Sequence, residues 1–276
     1  MTFPPLFWLR DLLGLRKMRP ISRLYRYDDK EFGERVPPES RFLNSFTSDL
    51  PVFLKEGVLD PETCDRLAKE LRASGSAGWA PMSKPEGDKN TALFDKKGRH
   101  TEFLNGNREI LEIYLKAMAP ALKEAEEFFG VKLGRSDGVQ ALGYPPGGRY
   151  ELHADNCSPK YDARGKFDGW VCNMPRRVIS TVLSLTETAS NPDEARNQCS
   201  GGELSFPCLL DAKNRPLKIA PKRGLFIAFP STPYFLHRVH PVKKGYRVTL
   251  VDWYGGTILA KADVPNAGAP GPRPAS

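Results

Sequence analysis

The sequence predicts a mainly β protein with flanking helices, an α+β fold built around a jelly roll of two facing sheets. After Gly134 the chain consists of short β-branched and aromatic runs separated by Gly, Pro and Asn, the pattern of strands joined by turns. About seven runs are visible, enough for a jelly roll. No helical segment alternates with them, which disfavours a parallel sheet. The predicted strands are 139–144, 149–155, 177–185, 202–206, 225–229, 235–239 and 246–254.

The length and composition indicate one large globular domain with extensions at both ends. The chain has 276 residues, of which 40% are hydrophobic and 27% charged, as in ordinary folded proteins. We predict an N-terminal arm over 1–45, one domain over 46–256 and a disordered tail over 257–276. Within that domain, 60–130 is the helical support and 136–256 the jelly-roll core.

Two helices are predicted before the strands. Asp60 is a candidate N-cap, Pro61 fits the first helical turn, and apolar residues follow at helical spacing. A second periodic stretch covers 107–129 and ends at Gly130, with Pro120 expected to kink or divide it. Residues 50–54 form a short apolar strand, and the long polar stretch 73–103 is typical of a lid. The apolar stripe of the first helix is Cys64, Leu67, Ala68 and Leu71.

The charge and the cysteine content limit which binding partners and which cellular compartment the sequence predicts. The net charge is +8, but the basic residues are spread along the chain, which disfavours a nucleic-acid partner. Five cysteines without C-x-x-C spacing favour a reducing cytoplasm. The sequence contains no run of 18 apolar residues, so we predict no transmembrane segment. Residues 7–18 read as a basic amphipathic helix, which could lie on a membrane surface, pack on its own domain or join a twin subunit in a homodimer.

A His-x-Asp pair provides the first candidate for a metal site. His153 and Asp155 are two residues apart on a predicted strand, so they face the same side. Such a pair supplies two of the three ligands of a 2-His-1-carboxylate iron site, although the pair alone also arises by chance. The third ligand is sought in the last strands, where His237 and His240 face opposite sides. We choose His237, because His240 precedes Pro241 at the end of its strand.

Arg247 is the candidate anchor for an anionic ligand. It shares one face of its predicted strand with Thr249, Val251 and Trp253, and a lone guanidinium on an apolar face is costly without an anion. A protein acid such as Asp252 or Glu203 could be the partner, but Asp252 lies on the opposite face. A planar guanidinium beside a hydroxyl suits a bidentate contact with a ligand carboxylate.

Several motifs, taken in order, resemble the prolyl 4-hydroxylase-like branch of the iron(II)/2-oxoglutarate-dependent oxygenases. The resemblance covers roughly residues 50–255. The first helix opens with Leu-x-Pro-Glu-x-Cys (59–64), which is similar to that branch. The further motifs are Tyr-Pro-Pro-Gly-Gly-Arg-Tyr (144–150), His-Ala-Asp (153–155), Arg-Val-Ile-Ser-Thr-Val-Leu-Ser-Leu-Thr (177–186), Gly-Gly-Glu-Leu-Ser-Phe-Pro (201–207), His-Arg-Val-His-Pro-Val (237–242), Gly-Tyr-Arg (245–247) and Trp253.

This resemblance implies a double-stranded β-helix of cupin-like architecture that binds Fe(II), 2-oxoglutarate and O2, with ascorbate as a supportive reductant. It implies that His153, Asp155 and His237 hold the iron and that Arg247 holds the far carboxylate of 2-oxoglutarate. Those four residues are the expected catalytic set. The residues expected beside the cosubstrate are Tyr144, Thr249 and Trp253.

The function implied is hydroxylation of an unactivated C–H bond in an amino acid, a peptidyl residue or a small metabolite, with succinate and CO2 as co-products. Because Asp155 fills the position that related halogenases leave vacant, hydroxylation is favoured over halogenation. The alternatives are a non-catalytic cupin-like metal- or ligand-binding protein, a nucleic-acid demethylase of the same superfamily and a zinc hydrolase.

Three segments depart from the family pattern or carry no assigned role. Residues 184–186 (Ser-Leu-Thr) replace a common Tyr-Leu-Asn, so one usual cosubstrate contact is expected to be missing or replaced. The polar stretch 187–200 could reach the mouth of the site or be a solvated loop. In relatives the stretch corresponding to 157–176 closes over substrate, and here a structural cover is the alternative.

Overall fold

The computed structural model describes residues 18–28, 46–86, 89–93 and 97–259. In that part of the chain the fold is mainly β, with two α-helices on the outside, as the sequence predicts. No α-helix among these residues is long and apolar enough to cross a membrane. The predicted amphipathic helix at 7–18 lies outside the described residues apart from Met18. The predicted disordered tail at 257–276 lies outside them from 260 onward, but Thr257 and Ile258 belong to the last strand and pair with Lys132 and Val131.

Both helices form where capping residues and apolar periodicity predict them. Helix α1 (Pro61–Ala73) begins at Asp60, whose carboxylate accepts from the Thr63 N–H at 2.8 Å. Helix α2 (Arg108–Phe129) begins at Asn107 and ends at Gly130. Gly130 has φ 62°, a left-handed conformation that favours glycine at a helix end. Pro120 lies inside α2, which is continuous, so of the two predicted outcomes the division does not occur.

The described residues contain 22 strands, and all but the last are two to seven residues long. The first half of the chain contributes β1 (Met18–Pro20), β2 (Arg26–Asp28), β3 (Phe53–Lys55), β4 (Ser76–Trp79), β5 (Met82–Glu86), β6 (Lys89–Leu93), β7 (Arg99–His100), β8 (Glu102–Leu104) and β9 (Val131–Ser136). The second half contributes β10 (Gln140–Tyr144), β11 (Arg149–His153), β12 (Cys157–Tyr161), β13 (Phe167–Cys172), β14 (Ile179–Ser184), β15 (Glu187–Thr188), β16 (Gln198–Gly201), β17 (Leu204–Leu210), β18 (Pro216–Ile219), β19 (Phe226–Pro230), β20 (His237–Val239), β21 (Val242–Gly245) and β22 (Arg247–Ile258).

Two large sheets contain most of these strands. One has the order β1-β2-β17-β20-β11-β7, with β18 beside β17, and the other has the order β3-β19-β14-β22-β10-β8-β4, with β9 beside β22. Smaller sheets are formed by β12-β13, β15-β16-β21 and β5-β6. In both large sheets the strands that pair are antiparallel, as the sequence predicts for a jelly roll.

The eight-stranded sheet separates two apolar clusters. One cluster contains side chains from both large sheets, such as Leu142, Val182 and Phe206. The other contains side chains of α1, α2 and the opposite face of the eight-stranded sheet. Strand alternation explains this division, since successive side chains of β22 point to opposite faces. The helices therefore cover one face, and the other face lines the space between the sheets.

The predicted N-terminal arm is not uniform in the structure. Residues 18–28 form the hairpin β1-β2, and β2 continues the seven-stranded sheet beside β17. Ile21 and Tyr27 are almost completely buried in the cluster between the sheets. The sheet framework therefore begins well before residue 46, although residues 29–45 lie outside the described part.

The polar stretches read from sequence as loops contain additional strands. The predicted lid at 73–103 includes β4, β7 and β8 at sheet edges and the separate hairpin β5-β6. Residues 157–172 form the hairpin β12-β13, and β12 contacts β5. Few of these residues follow an apolar alternation, which is why their sequence gave no strand signal.

Gly143 marks a close approach that allows a stability test. An alanine Cβ there would lie 2.2 Å from the Tyr246 hydroxyl oxygen, and that hydroxyl donates to Glu102 at 2.5 Å. Gly143→Ala should force the ring aside and destabilise the fold by about 1–3 kcal/mol, measured by urea denaturation. Gly106→Ala is the control, because its nearest neighbouring atom would be 3.9 Å away. Equal unfolding free energies for both variants would contradict this account.

Candidate active site

The predicted metal ligands meet at one end of the space between the sheets. His153 ends β11 and His237 opens β20, and the two residues are directly paired across these strands. The Asp155 carboxylate lies 3.6 Å from the Nε2 atom of each histidine. One ligand atom from each residue lies within 4.8 Å of the other two. Asp155 is just beyond the strand rather than on it, yet it faces the same site.

Backbone contacts fix the position of the Asp155 turn. The N–H groups of Asp155 and Asn156 both donate to the Ser231 carbonyl oxygen at 3.1 Å. The Arg177 guanidinium donates to the Asp155 carbonyl oxygen at 3.1 Å. These contacts hold the carboxylate toward the histidines, so its direction depends on the fold rather than on a bound ligand.

Carbonyl oxygens also set the proton positions on both histidines. The Nδ1 atom of His153 is 2.8 Å from the Glu151 carbonyl oxygen, and Nδ1 of His237 is 3.0 Å from that of Phe235. A carbonyl oxygen only accepts, so Nδ1 carries the proton and Nε2 keeps a lone pair. Both Nε2 atoms are therefore in the form that binds a metal.

The ionisation states of the site also suit metal binding. Burial alone would raise the pKa of the Asp155 carboxyl, but interactions with His237, His153 and Ser180 outweigh it and hold that pKa well below its usual range. Burial, with a further contribution from His153, lowers the pKa of His237 to about 4. At neutral pH the carboxylate is charged and His237 is neutral, which is the protonation state that metal ligands require.

His240 lies outside this cluster. Its Nε2 atom is 3.0 Å from the Ser205 hydroxyl oxygen, and its ring is only partly buried. The structure therefore brings His237, and not His240, together with His153 and Asp155. The three-residue spacing places the two histidines on different sides of the chain, as the sequence predicts.

A pocket between the sheets leads from the triad to Arg247. Arg247 is 3% exposed, and its Nε and Nη1 atoms have no hydrogen-bond partner within the described residues. Its guanidinium carbon lies 4.7 Å from the centre of the Tyr144 ring. The Thr249 hydroxyl is also buried in the pocket without a partner. No described acid forms an ion pair with Arg247, so the alternative pairing with Asp252 or Glu203 is not found.

Gly202 provides the room that the Arg247 side chain occupies. Its φ is 72°, and a Cβ atom there would lie 2.8 Å from Cδ of Arg247 and 3.2 Å from Cγ2 of Val242. The left-handed backbone and the close approach both favour glycine at this position. The Gly201-Gly202 pair therefore has a steric role next to the predicted anchor.

The comparisons with known proteins agree with this geometry. Residues 139–255 match the family model described as the 2OG-Fe(II) oxygenase superfamily, and this segment contains the triad and Arg247. This segment is similar to 2OG-Fe(II) oxygenase domains. The match and the triad support an enzyme that uses Fe(II), 2-oxoglutarate and O2, as the sequence predicts.

Prolyl hydroxylases are among the curated proteins and solved structures that this chain resembles. A probable prolyl 4-hydroxylase 10 of Arabidopsis thaliana is 20% identical over 259 residues, covering 87% of this chain and 81% of that protein. A prolyl hydroxylase from Trichoplax adhaerens, solved with a hypoxia inducible factor peptide fragment, has a TM-score of 0.52 at 17% identity, covering 74% and 83% of the two chains. A Pseudomonas putida prolyl-4-hydroxylase has a TM-score of 0.49 at 22% identity, covering 74% and 91%. The Trichoplax structure confirms the predicted double-stranded β-helix.

The residues of this oxygenase domain fit both groups that the family uses. Two neutral imidazoles and one carboxylate are the ligand set of non-haem Fe(II) sites, and they leave coordination positions open. The partner-free Nε and Nη1 atoms of Arg247 are donors of the kind that a carboxylate of 2-oxoglutarate satisfies. In both cases the described residues provide atoms of the chemical type that binds the group.

Trp253 lies at the other end of the β22 face that carries Arg247. The guanidinium carbon of Arg177 lies 4.2 Å from the centre of the Trp253 ring, and Arg177 pairs with Asp137 at 2.6 Å. Trp253 therefore contacts Arg177, whose guanidinium also donates to the Asp155 carbonyl oxygen. Sequence reasoning did not single out Arg177, whose only signal was its place at the start of a predicted strand.

Two further pocket residues were also missed by sequence reasoning. Tyr150 stacks on His153 with ring centres 3.6 Å apart, and the guanidinium carbon of Arg99 lies 4.4 Å from the centre of the Tyr150 ring. Burial raises the pKa of Tyr150 to about 12, so its phenol is neutral. Arg99 follows a polar stretch that resembled a loop, so its burial had no signal in the sequence.

The segments that depart from the family pattern lie away from the pocket lining. The Ser184 hydroxyl donates to the Thr186 carbonyl oxygen, and the Thr186 hydroxyl donates to Asn197 and accepts from the Val248 N–H. Neither residue lines the pocket, and the same holds for 187–200. The predicted loss of a cosubstrate contact at 184–186 is therefore consistent with the structure.

Replacing the triad residues one at a time tests the metal site. His153→Ala, Asp155→Ala and His237→Ala should each weaken Fe(II) or Mn(II) binding by more than about 100-fold, because even the outer partners of metal ligands are worth 10–100-fold. Anaerobic calorimetric titration measures the affinity, and circular dichroism checks the fold. His240→Ala is the matched control and should keep wild-type affinity. The assignment is wrong if His240→Ala loses the metal and His237→Ala retains it.

Proposed function

We propose that this enzyme hydroxylates an unactivated C–H bond of an amino acid, a peptidyl residue or a small metabolite. The observation that carries this proposal is the complete triad beside a buried Arg247 that pairs with no acid among the described residues. His153, Asp155 and His237 would hold Fe(II), and Arg247 would hold the far carboxylate of 2-oxoglutarate. Asp155 occupies the carboxylate position, which supports hydroxylation rather than halogenation.

The protein residues position the reactants and exclude water. Bound Fe(II) with 2-oxoglutarate and O2 supplies the oxidation, in which 2-oxoglutarate becomes succinate and CO2. Arg247 orients the cosubstrate along the pocket, with Tyr144 beside it and the Thr249 hydroxyl within the same buried wall. Leu204, Phe229 and Val239 form an apolar part of the pocket wall, where water has few partners. Orientation and water exclusion are the contributions that the protein makes to such a reaction.

The hairpin β12-β13 supports a substrate that extends beyond the pocket. It follows directly from the Asp155 turn, and its return strand leads to Arg177. Tyr161, Val171 and Met174 are exposed apolar side chains on or beside this hairpin. The Trichoplax relative was solved with a peptide fragment, and an equivalent peptide here would have this apolar surface available.

A cytoplasmic location stays a prediction.

Arg247 provides the sharpest test of cosubstrate use. Arg247→Ala should leave the 2-oxoglutarate carboxylate desolvated and unpaired, a loss of roughly 2–5 kcal/mol, so the half-saturating concentration rises about thirty-fold or more. Arg247→Lys should recover only part of this loss, because an ammonium lacks the planar fork. Succinate formation against 2-oxoglutarate concentration is the measurement.

A surface substitution separates the anchor from a general charge effect. Arg108 is 91% exposed in its side chain, and Arg108→Ala removes the same charge far from the pocket. This variant should keep the wild-type half-saturation. An unchanged value in Arg247→Ala would show that the cosubstrate anchor lies elsewhere.

A further inference from the structure

Arg99 is a second buried arginine in the pocket. It is 8% exposed, and its Nη1 group donates to the Pro81 carbonyl oxygen at 2.9 Å. Its Nε group is buried and has no hydrogen-bond partner in the part of the chain that the structure describes. Among the described residues no carboxylate forms an ion pair with it. A guanidinium held this way keeps a donor available for an anion.

The position of Arg99 relates it to the metal site rather than to the cosubstrate anchor. Its guanidinium carbon lies 4.4 Å from the centre of the Tyr150 ring, and that ring stacks on His153. One aromatic ring therefore separates Arg99 from a metal ligand. Arg247 instead stacks on Tyr144, a different wall of the pocket.

The charges of the loaded pocket leave one positive charge without a counter-charge. Arg99 and Arg247 are cations, and Asp155 is the one acid among the residues that line the pocket. Histidines are neutral when they bind a metal, and Fe(II) and the 2-oxoglutarate dianion balance each other. An uncompensated charge in a desolvated pocket is unfavourable. A further anion would remove this imbalance.

We propose that Arg99 binds a carboxylate of the substrate, so that the substrate class is carboxylate-bearing molecules whose oxidised carbon lies a few bonds from that carboxylate. This inference rests on the proposed hydroxylase function and adds to it the chemistry that the substrate must carry. The carboxylate is that of a free amino acid or small acid, or that of an acidic residue in a peptide. Arg99 is then a specificity-determining residue for the primary substrate.

Binding to the loaded full-length protein without turnover tests this assignment. The protein is loaded with Mn(II) and 2-oxoglutarate under nitrogen, and dissociation constants are measured by calorimetry. One arm compares a panel of L-amino acids with their carboxamides, and the other compares N-acetylated, C-amidated tripeptides that contain Asp with those that contain Asn. The acid of at least one pair should bind about tenfold more tightly than its amide, the value of a charge-assisted hydrogen bond. The arm that shows this preference identifies the source of the carboxylate.

Variants connect the preference to Arg99. In Arg99→Gln the ratio of acid to amide affinity should fall to near one, and in Arg99→Lys part of it should remain. Arg108→Gln removes the same charge from an exposed site and should keep the full ratio. The inference is wrong if no acid binds the loaded wild-type protein more tightly than its amide, or if Arg99→Gln keeps the preference.

Titration of 2-oxoglutarate into the same Mn(II)-loaded variants separates this inference from the proposed function. Wild-type protein and Arg99→Gln should bind 2-oxoglutarate with the same affinity within about twofold, which also shows that the variant is folded. If Arg99→Gln loses 2-oxoglutarate binding as Arg247→Ala does, Arg99 anchors the cosubstrate and the substrate assignment is wrong. If the wild-type protein binds neither Mn(II) nor 2-oxoglutarate, the proposed function itself fails.

Discussion

Burial of charge between the two sheets is the constraint on which the site depends. Asp155 obtains its stabilisation from neighbouring histidines and a serine hydroxyl, so its carboxylate stays ionised although it is buried. Arg247 and Arg99 differ from Asp155, because each has a buried N–H group for which the described residues provide no partner. Unpaired buried donors destabilise a folded protein. Anions that satisfy them should therefore stabilise the folded state by RT ln(1 + c/Kd), where c is the free anion concentration, and this free energy grows with the logarithm of c once c exceeds the dissociation constant.

The layered fold makes this polar interior tolerable. The helices cover the outer face of the eight-stranded sheet with a continuous apolar cluster, which supplies burial that does not involve the pocket. A second cluster between the sheets surrounds the polar residues with Leu, Val and Phe side chains. Burial of this apolar area contributes on the order of 25 cal/mol per Å². Apolar side chains, and not the charged groups of the site, thus supply most of the energy that holds the sheets together.

Sequence reasoning located the residues whose signal is local. The alternation along β22 placed Arg247, Thr249 and Trp253 on one face, and the spacing of His237 and His240 separated a buried residue from one that bonds to Ser205. The N-cap at Asp60 and the helix end at Gly130 were equally local signals.

The features that were missed depend on distant pairing. Strand β2 forms because it pairs with β17, more than 180 residues further along the chain. A pattern of three residues cannot predict such a long-range pairing. The burial of Arg99 depends on Tyr150 and Pro81, which no local pattern connects to it. Asp155 lies beyond its strand because its N–H group bonds to Ser231, again a long-range contact.

Strand β22 sets the spacing of the side chains along the pocket. Arg247 and Trp253 are six residues apart on one extended strand, which spaces them by about 20 Å at roughly 3.3 Å per residue. Because side chains alternate, inserting or deleting one residue between them would exchange the two faces. Val248 and Leu250 would then enter the pocket, and charged and polar groups would face the helices. Changes of length in this lineage of sequences should therefore accumulate in the hairpin β12-β13 and in 187–200, while β22 varies only by substitution.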